Sequence, residues 1–107
     1  MNTLKDLYET VLERQGTKVE GSYTCYLFEK GLDKILKKCG EECSEVIISA
    51  KNGDNSETVL EISDLLYHLT VLMVQQGINF DDIEAELAKR SGKKGNLKQF
   101  HEVDKNT

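Results

Sequence analysis

Glu42-Cys43-Ser44-Glu45, Asn52-Gly53-Asp54-Asn55 and Glu61-Ile62-Ser63-Asp64 are the stretches on which the reading of this chain turns. The middle one is a strong turn signal, because Asn, Gly and Asp readily adopt the backbone angles that end one helix and start the next. Glu45 stands eight residues before Gly53 and Glu61 eight after it, while Glu42 and Asp64 stand eleven before and eleven after. Within each motif the acids are three apart, which on a helix puts both on one side, about one turn from each other. Two helices folded back at Gly53 would therefore bring four carboxylates to matching heights, two per level. Such groups repel one another unless cations share the space, and carboxylate oxygens are the ligands that hard cations such as Mg²⁺ prefer. The plainer alternative is a solvated face on which Lys37 and Lys38, each four residues ahead of Glu41 and Glu42, form surface ion pairs.

The flanking sequence supports the helices. From Tyr26 to Lys51, the residues Phe28, Leu32, Ile35, Leu36, Cys39, Cys43, Val46, Ile47 and Ala50 form one stripe at helical spacing, which predicts a single long helix. Glu42 falls on the margin of that stripe, half-buried, where an unpartnered charge is costly. Glu45, Lys38 and Ser49 lie just beyond it on the same flank. After Gly53, Asp54 followed by Glu57 has capping-box spacing and predicts a helix over 55–76. That helix is apolar on two sides: Ile62, Leu65, Leu66, Leu69, Leu72 and Met73 on one, Leu60, Tyr67, Val71 and Val74 on the other. In so short a chain, two apolar sides predict that a partner subunit covers the second face. The expectation is a homo-oligomer, a dimer first. Between the faces runs a polar lane of Glu57, Glu61, Asp64, His68 and Gln75, the lining of a cleft or a wet seam. His68 reads as a hydrogen-bonded structural histidine.

Further out, Leu4, Leu7, Tyr8, Val11 and Leu12 give a helix over 2–15 that ends at Gly16, and residues 16–24 read as a loop. In it Ser22, Tyr23 and Thr24 offer hydroxyls suited to phosphate or sugar oxygens. Gly77 ends the third helix, and Asn79 caps a fourth running through Ile83 and Leu87 to Arg90. The tail Ser91-Gly92-Lys93-Lys94-Gly95-Asn96 is basic and Gly-rich. It is either a solvated end or a flap whose Arg90, Lys93 and Lys94 fold over a bound polyphosphate. The expected architecture is all-α, a four-to-five-helix bundle with a central antiparallel helical hairpin, completed by oligomerisation. One domain spans 1–107, with its core over about 20–95 and a loosely ordered tail over 96–107.

Composition narrows the function. The chain has 107 residues, no Pro and no Trp, and a formal charge of −5, which argues against a nucleic-acid binder because phosphate backbones are held by clustered Lys and Arg. A polyanionic small molecule remains possible where a metal screens it. No signal peptide and no run of about 20 apolar residues is visible, so neither a membrane span nor export is expected, and the chain reads as cytoplasmic. Three Cys, an odd number, speak against a disulfide scaffold. Cys39 and Cys43 read as small core residues rather than zinc ligands, since no second ligand pair is present. A ferritin-like di-metal oxidase would need Glu-x-x-His pairs on two helices. With only two His, His68 four after Asp64 and His101 in the tail, that reading fails. A non-enzymatic helical module explains the stripes but not the half-buried acids.

The segment Ser22-Tyr23-Thr24-Cys25-Tyr26-Leu27-Phe28-Glu29-Lys30-Gly31, then Lys34-Ile35-Leu36-Lys37-Lys38-Cys39-Gly40-Glu41-Glu42, then Glu61-Ile62-Ser63-Asp64-Leu65-Leu66-Tyr67-His68-Leu69, resembles the phosphoribosyl-ATP pyrophosphatases, members of the all-α, MazG-like nucleotide pyrophosphohydrolases. The resemblance covers roughly residues 20–95. It implies Mg²⁺-dependent hydrolysis of phosphoribosyl-ATP to phosphoribosyl-AMP and pyrophosphate, the second step of histidine biosynthesis. It implies Glu42, Glu45, Glu61 and Asp64 as metal ligands, with Glu41 the extra acid of a doubled Glu. Glu41 or Glu45 would take the proton of the attacking water, and Lys34, Lys38, Arg90 and Lys93 would join Ser22, Tyr23 and Thr24 in holding substrate. The departure from the family pattern is Cys43-Ser44, where relatives carry small apolar residues. The alternative within the superfamily is a pyrophosphohydrolase acting on dUTP, dCTP or another nucleotide.

Overall fold

In the computed structural model, residues 2–92 are described, and they form helices without any strand: α1 (Thr3–Gly16), α2 (Tyr23–Lys30), α3 (Leu32–Lys51), α4 (Asn55–Gln75) and α5 (Phe80–Ser91). The all-α class and the central hairpin are as expected. The reversal between α3 and α4 is made where the sequence placed it. Gly53 takes φ +73°, a left-handed conformation that ends α3 at little cost, and the Asp54 carboxylate accepts from the Glu57 N–H to start α4. Gly77, also at φ +73°, ends α4 in the same way, with the Ile78 N–H returning to the Met73 carbonyl at 2.8 Å and Asn79 capping α5.

Two boundaries differ from the sequence reading. The stretch expected as one helix over 26–51 is two, because Gly31 adopts φ +93° and ψ −174° and breaks the backbone between Lys30 and Leu32. The expected loop over 16–24 is shorter at its far end. The Ser22 hydroxyl accepts from the Cys25 N–H at 3.1 Å, so Tyr23 and Thr24 open α2 instead of lying in a loop.

The hairpin of α3 and α4 is the most extensive helix pairing, with α1 laid against α4 and α2 wedged between α1 and α3. Val11, Leu27, Ile35, Val71 and Val74 form the core, with Leu7, Tyr8, Phe28, Cys39, Tyr67 and Leu72 around it. The chain's own core thus takes the α4 face expected to meet a partner, that of Tyr67, Val71 and Val74. Ile62 and Leu66 of the other face, and Leu60 at the hairpin end, are exposed instead. Cys43, expected in the core, is exposed, whereas Cys39 is half-buried. The first turn of α5 is tied to α1 by the Tyr8 hydroxyl, which donates to the Ile78 carbonyl at 2.9 Å, and by the Tyr8 and Phe80 rings, 5.8 Å apart. No helix of the described residues is long and apolar enough to cross a membrane.

Leu27 is fully buried at the meeting of α1, α2 and the hairpin. Leu27→Ala is expected to lower unfolding free energy by about 2–5 kcal/mol in urea titrations; a loss under about 1 kcal/mol would contradict this core.

Candidate active site

The hairpin brings Glu42 and Glu45 of α3 against Glu61 of α4, and one carboxylate oxygen from each lies within 4.8 Å of the others. They differ in burial. Glu45 is exposed and Glu61 half-buried, but Glu42 keeps only 5 % of its surface and its Oε2 is buried with no hydrogen-bond partner. An ionised oxygen in that position lacks both water and a donor, an arrangement that costs free energy unless a cation fills it. Burial, then the charges of Glu45 and Asp64, raise the Glu42 carboxyl above the usual range, with His68 and Lys38 pulling the other way. Burial, then a hydrogen bond with Glu57 and the charge of Glu45, push Glu61 up to about 7. In both, burial is the larger cause and the neighbouring carboxylates add to it.

Asp64 lies outside this tight group, exposed one turn further along α4, yet near enough to act on Glu42. Glu57 is the acid that sequence spacing passed over as a site residue. Its place one turn ahead of Glu61 in the polar lane was the available signal. With Glu45, Ser49, Asp54 and Glu61 it lines an open cleft of about 190 Å³ at the hairpin end. Glu41 is turned to Lys38 in an ion pair of 3.2 Å, which holds its carboxyl below the usual range.

The substrate-side residues divide. In the free chain Ser22, Tyr23 and Thr24 each have an internal partner: the Cys25 N–H for Ser22, His68 Nε2 at 3.0 Å for Tyr23, and the Tyr67 hydroxyl for Thr24. Tyr23 nevertheless stays close to the acids, since Lys38 and Glu42 both act on its phenol, whose pKa burial raises. Lys34 sits half-buried with its ammonium 6.0 Å from the Tyr26 ring centre. Arg90, at the end of α5, pairs with Glu86 at 3.0 Å. Lys93, Lys94 and the tail over 96–107 lie outside the described residues. His68 is hydrogen-bonded at both ring nitrogens, as a structural histidine should be.

The chain is also similar to known proteins along most of its length. Residues 4–91 match the family model described as phosphoribosyl-ATP pyrophosphohydrolase. A protein of Lactiplantibacillus plantarum named phosphoribosyl-ATP pyrophosphatase is 52% identical over 103 residues, covering 96% of this chain and 97% of the relative. Proteins of the same name from Lacticaseibacillus casei and Clostridium botulinum (strain Hall) are 56% and 60% identical, covering 92% and 83% of this chain and 90% and 81% of theirs.

The strain at Glu42 has a consequence for stability. Glu42→Gln removes one charge from a crowd of carboxylates whose buried oxygen has no hydrogen-bond donor, so in EDTA the variant is expected to melt roughly 4 °C or more above the parent chain. A lower melting temperature in EDTA would show that the buried carboxylate is satisfied without a cation.

Proposed function

The chain belongs to the phosphoribosyl-ATP pyrophosphohydrolase family, and we propose that the acids gathered by the α3–α4 hairpin are the Mg²⁺ centre of that activity. It is a hydrolase of phosphoribosyl-ATP, releasing pyrophosphate and phosphoribosyl-AMP in histidine biosynthesis. Enzymes of this family typically need a divalent metal. The observation that carries the choice of site is the orphaned Oε2 of Glu42, on a residue whose carboxylate gathers with those of Glu45 and Glu61. All-oxygen, strongly negative donors suit a hard dication better than a softer metal.

Glu42, Glu45 and Glu61 would hold the ion, with Asp64 completing the set from the next turn of α4. A bound Mg²⁺ supplies neutralisation of phosphate charge and a more acidic water. The chain's own residues do the rest. Glu45 is the better placed general base, because the ion pair with Lys38 lowers the basicity of Glu41. Lys38, beside both Glu42 and Tyr23, is the nearest cation for a substrate phosphate, and Lys34 lies one turn before it. Arg90 and Lys93 are proposed to approach the phosphates from the end of α5. The protein acts in the cytoplasm on this reading, with no nucleic-acid or membrane partner.

A second copy of the chain is proposed to cover the apolar surface left at the hairpin end, where Ile47, Ile48, Val59 and Leu60 are each more than half exposed. Ile48 also lines the acidic cleft, so a dimer formed there closes the site's edge.

Pyrophosphate release from phosphoribosyl-ATP, beside ATP, dUTP and dCTP, tests the activity. Turnover of phosphoribosyl-ATP alone, abolished by EDTA and restored by Mg²⁺, is expected. Glu42→Gln and Asp64→Asn should each lower kcat by more than about 100-fold with helix content unchanged; near-normal rates in either refute the metal-site assignment. Leu60→Glu should shift the species seen by sedimentation from dimer to monomer, and a parent chain that sediments as a monomer would remove the proposed dimer.

A further inference from the structure

His68 is almost fully buried, its ring nitrogens bond no acidic side chain, and it touches three helices. Its Nδ1 lies 2.8 Å from the Asp64 carbonyl within α4, its Nε2 lies 3.0 Å from the Tyr23 hydroxyl of α2, and its own carbonyl accepts from the Cys39 thiol of α3. A carbonyl oxygen can only accept, so Nδ1 carries a hydrogen; with that single ring hydrogen Nε2 accepts, and the Tyr23 hydroxyl donates to it. The rings are seated accordingly. His68 is edge-on to Tyr23, with centroids 5.7 Å apart, and to Tyr67 at 4.9 Å.

We infer that His68 is a positioning residue: by accepting the Tyr23 hydroxyl hydrogen it fixes that phenol beside Glu42 and Lys38 and leaves the phenol oxygen as a hydrogen-bond acceptor for a donor on the substrate, a ribose hydroxyl. This rests on the hydrolase reading above and refines it. With its hydrogen committed to Nε2, Tyr23 does not donate to a phosphate oxygen, so the phosphates fall to Lys38 and the metal centre. The sugar falls to Tyr23. The half-exposed ring of Tyr23 provides the access this needs, and its electrostatic link to Glu42 and Lys38 places it at the edge of the reacting groups.

Asn and Gln separate the two jobs of the ring. The amide of His68→Asn reaches the Nδ1 position and keeps the bond to the Asp64 carbonyl, whereas that of His68→Gln reaches the Nε2 position and can still accept from Tyr23. The full chain, assayed with phosphoribosyl-ATP and Mg²⁺, should lose about 10- to 100-fold in kcat/KM in both Tyr23→Phe and His68→Asn. The double variant should be no worse than the worse single one. His68→Gln should recover to within about threefold of the parent, and Mg²⁺ affinity by calorimetry should be unchanged in all. Losses that multiply in the double variant, or a His68→Gln chain as impaired as His68→Asn, overturn the inference. Nitrogen-15 NMR of the substrate-free protein reads the geometry without turnover: a hydrogen on Nδ1, and an Nε2 signal that moves in Tyr23→Phe, are expected. A hydrogen on Nε2 overturns the inference. A parent chain that does not cleave phosphoribosyl-ATP defeats the functional reading instead, which keeps the two failures apart.

Discussion

Carboxylates of Glu42, Glu45 and Glu61 converge on one small volume, and a buried oxygen among them, Oε2 of Glu42, has no internal donor. Like charges held this way oppose folding, so the rest of the chain has to over-determine their positions. It does so with rigid parts. Both ligand-bearing helices exceed five turns, their junction is fixed by Gly53 and the Asp54 cap, and their inner faces are locked by Ile35, Val71 and Val74. Helix α1 and the short α2 buttress the hairpin rather than contribute acids. The unfavourable contacts of the free protein are those that a hard dication would reverse.

This division of labour separates a stiff centre from an adjustable edge. The acids sit on helices whose side chains are held by packing, where small shifts are resisted. The groups proposed to meet the sugar and phosphates all have internal partners: Lys38 on Glu41, Arg90 on Glu86, Tyr23 on His68. On the proposed reading a polyanionic substrate would compete for the cations, and the Tyr23 contact would leave an acceptor open. Exchange of one set of partners for another would let these groups meet a highly charged molecule while staying paired in its absence.

Much of this was legible in the sequence. The equal offsets of Glu45 and Glu61 from Gly53 are enough to place them together, because a helical hairpin is a ruler with a fixed rise per residue. The stripes gave α1, α4 and α5 nearly to the residue. The break at Gly31 was hidden because the apolar spacing runs through it undisturbed, and one left-handed glycine changes the path without changing the pattern. Ser22 was read as a ligand group, while its local role as an N-cap starts α2; the same hydroxyl chemistry serves both, and only the backbone distinguishes them. Glu57 escaped because its signal, a further turn of the same polar lane, is what a solvated face also shows. That the chain itself buries the Tyr67, Val71 and Val74 side of α4 was not foreseen, since two apolar faces on one helix carry no mark of which one α1 will cover.

The central claim is that the crowded acids exist to hold one doubly charged ion. Diffraction from crystals grown with Mn²⁺, recorded for its anomalous signal, tests it most directly, because Mn²⁺ shares the oxygen preference of Mg²⁺ and is located independently of any assay. A strong peak is expected among Glu42, Glu45 and Glu61, with the Glu42 Oε2 atom among its ligands. A map with no peak there, or with Glu42 swung out to solvent and the ion bound elsewhere, would contradict it.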